Sequence, residues 1–398
     1  MRSLRTRRLL PATALIVAAA VGFVGWTIAP TGASNGEGNA TVAASRDSMN
    51  GGSSTGDGGA GLGGQIGLAA KNAKGAGQST ASASPAPNSA GSSSGGTRPT
   101  VARAATSGPF PSGINAGTLT KANAWAAFRG RPADVVVVYT ERGSWNDIIH
   151  SWVGADREHF AGFAGTWVLS VPLFPDSGPQ QGNLPSCAAG AYDAEWRAFG
   201  ATLVARGRGS SFVRLGWEFN GSWFAWSATD PTAWMSCFRH ASAAIRATDP
   251  SVRIDWNLNA HNSAGIDAFN LYPGDAYVDV IGVDSYDEYP PSDDALSFSS
   301  QCHGTDGLCV AIAFARAHHK LFSVPEWGVV ATSDTAAGSN GGGDNLVYIQ
   351  QMYQTFMQNR DILAYESYFS DSTPGNVHSS LLDPDENPAS AREYAQLW

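Results

Sequence analysis

Apolar runs and segments of helical period alternate along the chain from residue 112 to the C-terminus. Residues 134–139 (DVVVVY) and 166–171 (TWVLSV) are continuous apolar runs. Strands buried on both faces of a parallel sheet have this character. A short first strand is predicted at 112–116 and a helix at 120–129. Residues 190–206 carry Tyr192, Trp196, Phe199 and Leu203 at helical spacing. Residues 211–217 form the next strand-like run. Asp230-Pro231 then opens a helix as cap and first-turn proline, and that helix stops near Thr248, before Asp249-Pro250. Strands follow at 252–258 and 278–284. A helix at 310–319 precedes a strand at 321–325, and a helix at 344–358 precedes a strand at 362–366. A helix at 388–397 closes the chain.

Eight strands with helices between most of them predict an α/β fold, a (β/α)8 TIM barrel, over residues 110–398. An open doubly wound sheet is the competitor. The barrel is preferred because the count reaches eight and no GxGxxG follows the first strand. In this count 211–217 is strand 4 and 321–325 is strand 7.

The N-terminal part has a different pattern. Arg2, Arg5, Arg7 and Arg8 precede an apolar stretch at 9–29, and Thr31-Gly32-Ala33 resembles a cleavage site. Residues 1–33 are therefore expected to be an export signal, and the apolar stretch is long enough to remain as a membrane anchor. Residues 34–109 are rich in Gly, Ser, Ala, Thr and Pro, with no aromatic residue between Trp26 and Phe110. Such a segment cannot bury enough apolar surface to offset its conformational entropy, and it is expected to be a disordered linker. The formal net charge of −9 and the lack of a basic patch interleaved with aromatics argue against nucleic acid. A secreted or membrane-anchored extracellular monomer is the expectation.

Four cysteines, Cys187, Cys237, Cys302 and Cys309, all fall in the barrel region. An even count in an exported chain suggests two disulfides. Cys302 and Cys309 flank a short loop, which favours a local pair and leaves Cys187 with Cys237, although three pairings are possible. A zinc site is the rival use, but there is no CxxC and no matching histidine spacing.

Candidate chemistry concentrates at the ends of strands 4 and 7. Residues 211–226 read SFVRLGWEFNGSWFAW, and residues 321–328 read LFSVPEWG. Two glutamates, Glu218 and Glu326, each stand beside tryptophan at the end of an apolar run. At the C-terminal mouth of a barrel they would face each other. A retaining glycosidase needs this pair: an acid to protonate the leaving oxygen and a carboxylate to attack the anomeric carbon. Glu218 is expected to be the acid/base and Glu326 the nucleophile. Tyr286, at the end of strand 6, could hydrogen-bond the nucleophile. Asp284 could orient Tyr286 or bind a sugar hydroxyl, and Arg214 could be a buried counter-charge.

Trp217, Trp223, Trp226 and Trp327 are candidate sugar contacts, although such rings serve a core as readily as a platform. Asn220, Asn259, His261, Tyr365 and Tyr368 are further pocket candidates, with Trp145 and His150 after strand 2. His318-His319 is expected on a solvated helix end. No metal and no organic cofactor is called for.

The chain resembles glycoside hydrolase family 26, which includes β-mannanases, over 110–398. The resemblance rests on Arg214 to Trp226 with its Glu-x-Asn-Gly-x-Trp core, on Tyr272 to Tyr286, and on Pro325-Glu326-Trp327-Gly328. It implies a retaining reaction, the same roles for Glu218 and Glu326, assistance from Tyr286, and Asp284 in the cleft. One departure stands out. The family places histidine immediately before the acid/base glutamate, and here the residue is Trp217. That histidine contacts sugar in the mannanases, and its absence counts against mannan specificity; the resemblance makes β-1,4-mannan the first substrate expected, with β-glucan or another exopolysaccharide as the alternative. A non-catalytic polysaccharide-binding or assembly protein is the reading from another class.

Overall fold

A computed structural model describes residues 101–151, 160–262 and 264–398. The expected signal or anchor and most of the expected linker lie outside them. No helix among the described residues is long and apolar enough to cross a membrane.

Eight parallel strands close into a barrel in chain order. They are β1 (Ser112–Asn115), β2 (Val135–Tyr139), β3 (Thr166–Val171), β4 (Phe212–Leu215), β5 (Arg253–Asn259), β6 (Val280–Tyr286), β7 (Leu321–Gly328) and β8 (Leu363–Tyr368). Around them lie α1 (Leu119–Arg129), α2 (Trp145–Ile149), α3 (Leu184–Ala188), α4 (Asp193–Ala205) and α5 (Pro231–Thr248). The circuit continues with α6 (Ala295–Cys302), α7 (Leu308–Ala317), α8 (Leu346–Gln358) and α9 (Pro388–Leu397). This is the predicted TIM barrel.

The pattern of side chains explains the closure. Val135, Val137, Val168, Phe212, Val280 and Tyr365 point inward and fill the lower barrel, while Val136, Val138, Leu169, Val213 and Ile281 face the helices. Both faces of each strand are thus buried, which is why β2 reads as an unbroken valine run. Asp230 caps α5 through its side chain at Ala233 N–H, as expected from the Asp-Pro signal.

Several boundaries differ from expectation. The predicted helix at 190–206 is α4, which starts at Asp193; the short α3 was not predicted and precedes it across a turn with Gly190 in left-handed backbone. Helix α6 was not predicted; it is short, and its start is set by a capping box between Asp294 and Ser297. Residues 101–109, which composition assigns to the linker, pack on the barrel instead. Ala104 is buried with the inner valines and donates its N–H to Ala364 O, and Ser107 donates to Asp134. The single carboxylate of Asp134 also accepts from Ser112 N–H and pairs with Arg131 at 2.7 Å, tying this segment to β1.

The disulfides are Cys187–Cys237, joining α3 to α5, and Cys302–Cys309, joining the end of α6 to α7. They match the favoured pairing and are consistent with an extracellular protein.

Candidate active site

Glu218 does not close β4 as its sequence context suggested. The strand ends at Leu215, and the chain turns sharply through Gly216 (φ 57°) and Glu218 (φ 51°). A side chain at 216 would meet Leu173 Cγ at 2.7 Å, so both the space and the positive φ require glycine there. A glutamate in left-handed backbone is strained and is held by its surroundings. Here the Glu218 N–H is anchored on Asn257 O at 3.0 Å. The carboxyl group accepts from Asn259 Nδ2 on Oε1 (2.7 Å) and from Trp223 Nε1 on Oε2 (3.0 Å).

Glu326 lies inside β7, and a bulge aims it. From Val324 to Trp327 this strand takes one residue more than β8 does from Glu366 to Tyr368, and the match to β6 slips likewise between Ser323 and Trp327. Ser323 points into the barrel, where it donates to Asp255 at 2.6 Å. In a regular strand a residue three positions on would face out. The extra residue reverses the alternation, so Glu326 also points in and Trp327 points out. Pro325 is tolerated at this interruption because no ladder donor is needed there.

The Glu326 carboxylate accepts three hydrogen bonds. Tyr139 OH (2.7 Å) and Arg214 Nη1 (2.9 Å) reach Oε1, and Tyr286 OH (2.9 Å) reaches Oε2. Arg214 is wholly buried and serves four acceptors: Ser170 Oγ (2.8 Å), Glu326, Asn257 Oδ1 (2.9 Å) and Asp284 Oδ2 (2.5 Å). Burial works against its charge, yet Asp284 and Glu326 hold the guanidinium above its usual value. Burial also pushes the Asp284 carboxyl well above the ordinary range against the pull of Arg214, and Glu326 and Glu218 push it the same way. Burial, and then the charge of Glu326, raise the Tyr139 hydroxyl, so it stays a donor.

Glu218, Asp284 and Glu326 each offer an oxygen within 4.8 Å of the others. A cation could bridge such a set. Arg214 already supplies a fixed positive charge to two of its members, which fits a carboxylate pair held for chemistry better than a metal cage.

The sequence candidates thus divide. Arg214, Glu218, Asn259, Asp284, Tyr286 and Glu326 converge on one point. Trp223 is half-buried beside Glu218. His261 is half-buried, with its ring nitrogen 3.3 Å from Tyr286 O. Asn220 is wholly buried and bonds to the backbone of Asn259.

Trp217, Trp226, Trp327 and Tyr365 present no open face. Trp217 and Trp226 pack on each other at 4.7 Å and on Phe224, and Trp226 Nε1 donates to Trp217 O. Trp327 stacks on Trp398 outside the barrel and donates to Glu366. Tyr365 donates to Asp255 below the site. Tyr368 is buried and donates to Ser379 O; Trp145 packs on Trp196, and His150 is exposed. His318 pairs with Asp275 at 2.9 Å on the surface.

Tyr139 and Asn257 were missed. The signals were present: a polar end to the valine run of β2, and the alternation of Asp255, Asn257 and Asn259 along β5, which marks the inward face.

Residues 211–306 match the family model described as Glycosyl hydrolase family 26. The resemblance to family 26 is shown there. That segment runs from β4 past β6 and includes Arg214, Glu218, Asp284 and Tyr286. No curated protein matches the sequence. Among solved structures, a modular endo-β-1,4-mannanase from Cellulomonas fimi is 17% identical with a TM-score of 0.49, covering 68% of this chain and 64% of that one. This chain therefore spans less than two thirds of that protein's length. The catalytic domain of a family 26 endo-β-1,4-mannanase from Bacillus sp. JAMB-750 is 16% identical with a TM-score of 0.49, over 69% of this chain and 78% of that one. A fungal β-1,4-galactanase is 11% identical with a TM-score of 0.50, over 72% of this chain and 98% of that one. At such identity the galactanase likeness shows a shared fold and nothing finer.

Proposed function

We propose that this chain is an exported, retaining glycoside hydrolase of β-linked polysaccharide, acting as a member of family 26. One observation carries the reading: Glu218 and Glu326 offer carboxylate oxygens within 4.8 Å of each other at the barrel mouth. Retaining enzymes keep their carboxyl groups about 5–5.5 Å apart, whereas inverting enzymes leave room for a water at about 6.5–9.5 Å.

The roles follow from the neighbours. Glu326, held on both oxygens by three donors, is aimed as the nucleophile. It attacks the anomeric carbon and forms a glycosyl ester as the glycosidic C–O bond breaks. Glu218 gives its proton to the leaving oxygen, then takes a proton from the water that hydrolyses the ester. Tyr286, Tyr139 and Arg214 orient Glu326, and Asp284 balances Arg214. Trp223, half-exposed beside Glu218, is the ring best placed to meet a sugar. The apolar stretch at 9–29 and the aromatic-free linker after it support export on a tether.

β-1,4-Mannan is the first substrate. β-Glucan is second, because Trp217, buried against Trp226, stands where the mannanases carry histidine and presents no surface to a sugar. The test is reducing-sugar release by the full chain from mannans, β-glucans and xylans, with Glu326→Ala as control. Release from one polymer, lost in the variant, supports the reading. A folded protein that binds a polymer and releases nothing would replace it with a binding module.

A further inference from the structure

Asp306 lies in the loop between Cys302 and Cys309, outside the strands that carry the carboxylate pair. It is fully buried with a left-handed backbone (φ 57°). Its Oδ1 accepts from Ala268 N–H at 3.2 Å, and its Oδ2 accepts from Asn220 Nδ2 at 3.2 Å. Asn220 also donates from Nδ2 to Asn259 O at 2.7 Å and accepts the Asn259 N–H on Oδ1 at 2.8 Å. Asn259 then donates from Nδ2 to Glu218 Oε1 at 2.7 Å. An unbroken chain of hydrogen bonds runs from the disulfide loop to Glu218.

We propose that Asp306, held by the Cys302–Cys309 loop, is a positioning residue that orients Glu218 through Asn220 and Asn259; this rests on the acid/base role proposed for Glu218. The direction of each bond supplies the reason. An ionised carboxylate can only accept, so the Asn220 amide must turn its nitrogen toward Asp306 and its oxygen toward the Asn259 N–H. That pair of hydrogen bonds to the backbone of Asn259 fixes the end of β5. The Asn259 amide then sets the rotation of the Glu218 carboxyl group, and with it the oxygen available to protonate a leaving group.

The loop itself cannot drift. The disulfide joins its two ends with Cα atoms 4.9 Å apart, and Gly307 N–H is bonded to Gly304 O at 3.0 Å. A Cβ at Gly307 would meet Cys302 O at 2.4 Å, so the turn closes against the end of α6. Burial raises the Asp306 carboxyl to about 6, opposed by the bonds from Ala268 and Asn220, so it is the anion at neutral pH.

The test separates acid catalysis from general damage to the site. Full-chain Asp306→Ala and Asp306→Asn are assayed on two aryl β-glycosides of the disaccharide that the enzyme releases from its polymer. One carries 2,4-dinitrophenyl, which departs without a proton, and the other carries 4-methylphenyl, which needs one. The expected result is a loss of about 10-fold or more on 4-methylphenyl, within the roughly 10²–10⁴-fold that a positioned acid contributes. All rates are compared as kcat/KM, which reports formation of the glycosyl ester and not its hydrolysis; on dinitrophenyl it should stay within about 3-fold, and the alkaline limb of the pH profile should move. Equal losses on both substrates, or no loss on either, would overturn the proposal. Should Asp306→Ala fail to fold, the Cys302→Ser/Cys309→Ser pair is read in the same way. Glu218→Ala separates the underlying reading. If it too depresses both substrates equally, the acid/base assignment fails; if it is selective while Asp306 variants are not, only the positioning role fails.

Discussion

Arg214 holds Glu326 at 2.9 Å with one arm of its guanidinium and Asp284 at 2.5 Å with the other. All three groups are buried, so the arrangement places one fixed cation between two carboxyls inside the barrel mouth. Removing it leaves two buried acids uncompensated.

Arg214→Met should therefore destabilise the barrel by about 3–5 kcal/mol, the usual cost of breaking a buried pair from one side. Turnover should be lost as well, because Glu326 loses a donor and gains a repulsive neighbour. Arg214→Lys should recover part of the stability and little of the activity, since an ammonium cannot span four acceptors in a plane. Chemical denaturation and turnover on the identified polymer test both statements.

Tyr139→Phe should lower kcat by about 10–100-fold in a protein that still folds. The lost bond is one to a charged acceptor, worth about 1.5–3 kcal/mol. Tyr286→Phe should behave alike, since it serves the other oxygen of Glu326. A Tyr139→Phe variant with full activity would show that the 2.7 Å contact does not act on Glu326 during the reaction.

The tryptophans should part by burial. Trp327→Ala removes a ring packed against Trp398, Tyr368 and Phe356 and should cost about 3–5 kcal/mol in stability. Trp223→Ala should barely change the melting temperature but lower kcat/KM by about 10–100-fold, because its indole N–H serves Glu218. Melting curves beside steady-state kinetics would expose the reverse pattern at once.

Stability should also depend on Asp255. Burial raises its carboxyl to about 6, against hydrogen bonds from Ser323 and Tyr365 and the nearby Arg214. The folded state therefore holds a proton that the unfolded chain, near 3.8, has already released. Stability contributed by this group is present below about pH 4 and is lost as pH rises to about 6, by up to roughly 3 kcal/mol. Asp255→Asn should flatten that slope relative to the parent protein. Denaturation midpoints of the two proteins between pH 4 and 7 give the comparison, and parallel curves would contradict it.

What was legible in the chain follows from local physics. Valine runs buried on both faces, the Asp-Pro helix start and the eightfold alternation pointed to the barrel, because periodicity and capping depend on neighbours a few residues apart. Glu218 and Glu326 stood out for the same reason, each at the end of an apolar run. The favoured cysteine pairing held because Cys302 and Cys309 are close in sequence.

The remaining features were decided by contacts between distant strands. One extra residue in β7 turns Glu326 inward, and a one-residue shift in register reverses every side chain beyond it. Whether a tryptophan meets a sugar or a core depends on what packs over it: Trp223 stays half-open, while Trp226 and Trp327 are covered by Phe224 and Trp398. Tyr139 reaches Glu326 across 187 positions, and Asp306 reaches Asn220 across 86. Apolar spacing along the chain specifies which residues are strand or helix. Closure of the barrel specifies which of their side chains meet, because that depends on register, bulges and turns that no local pattern encodes.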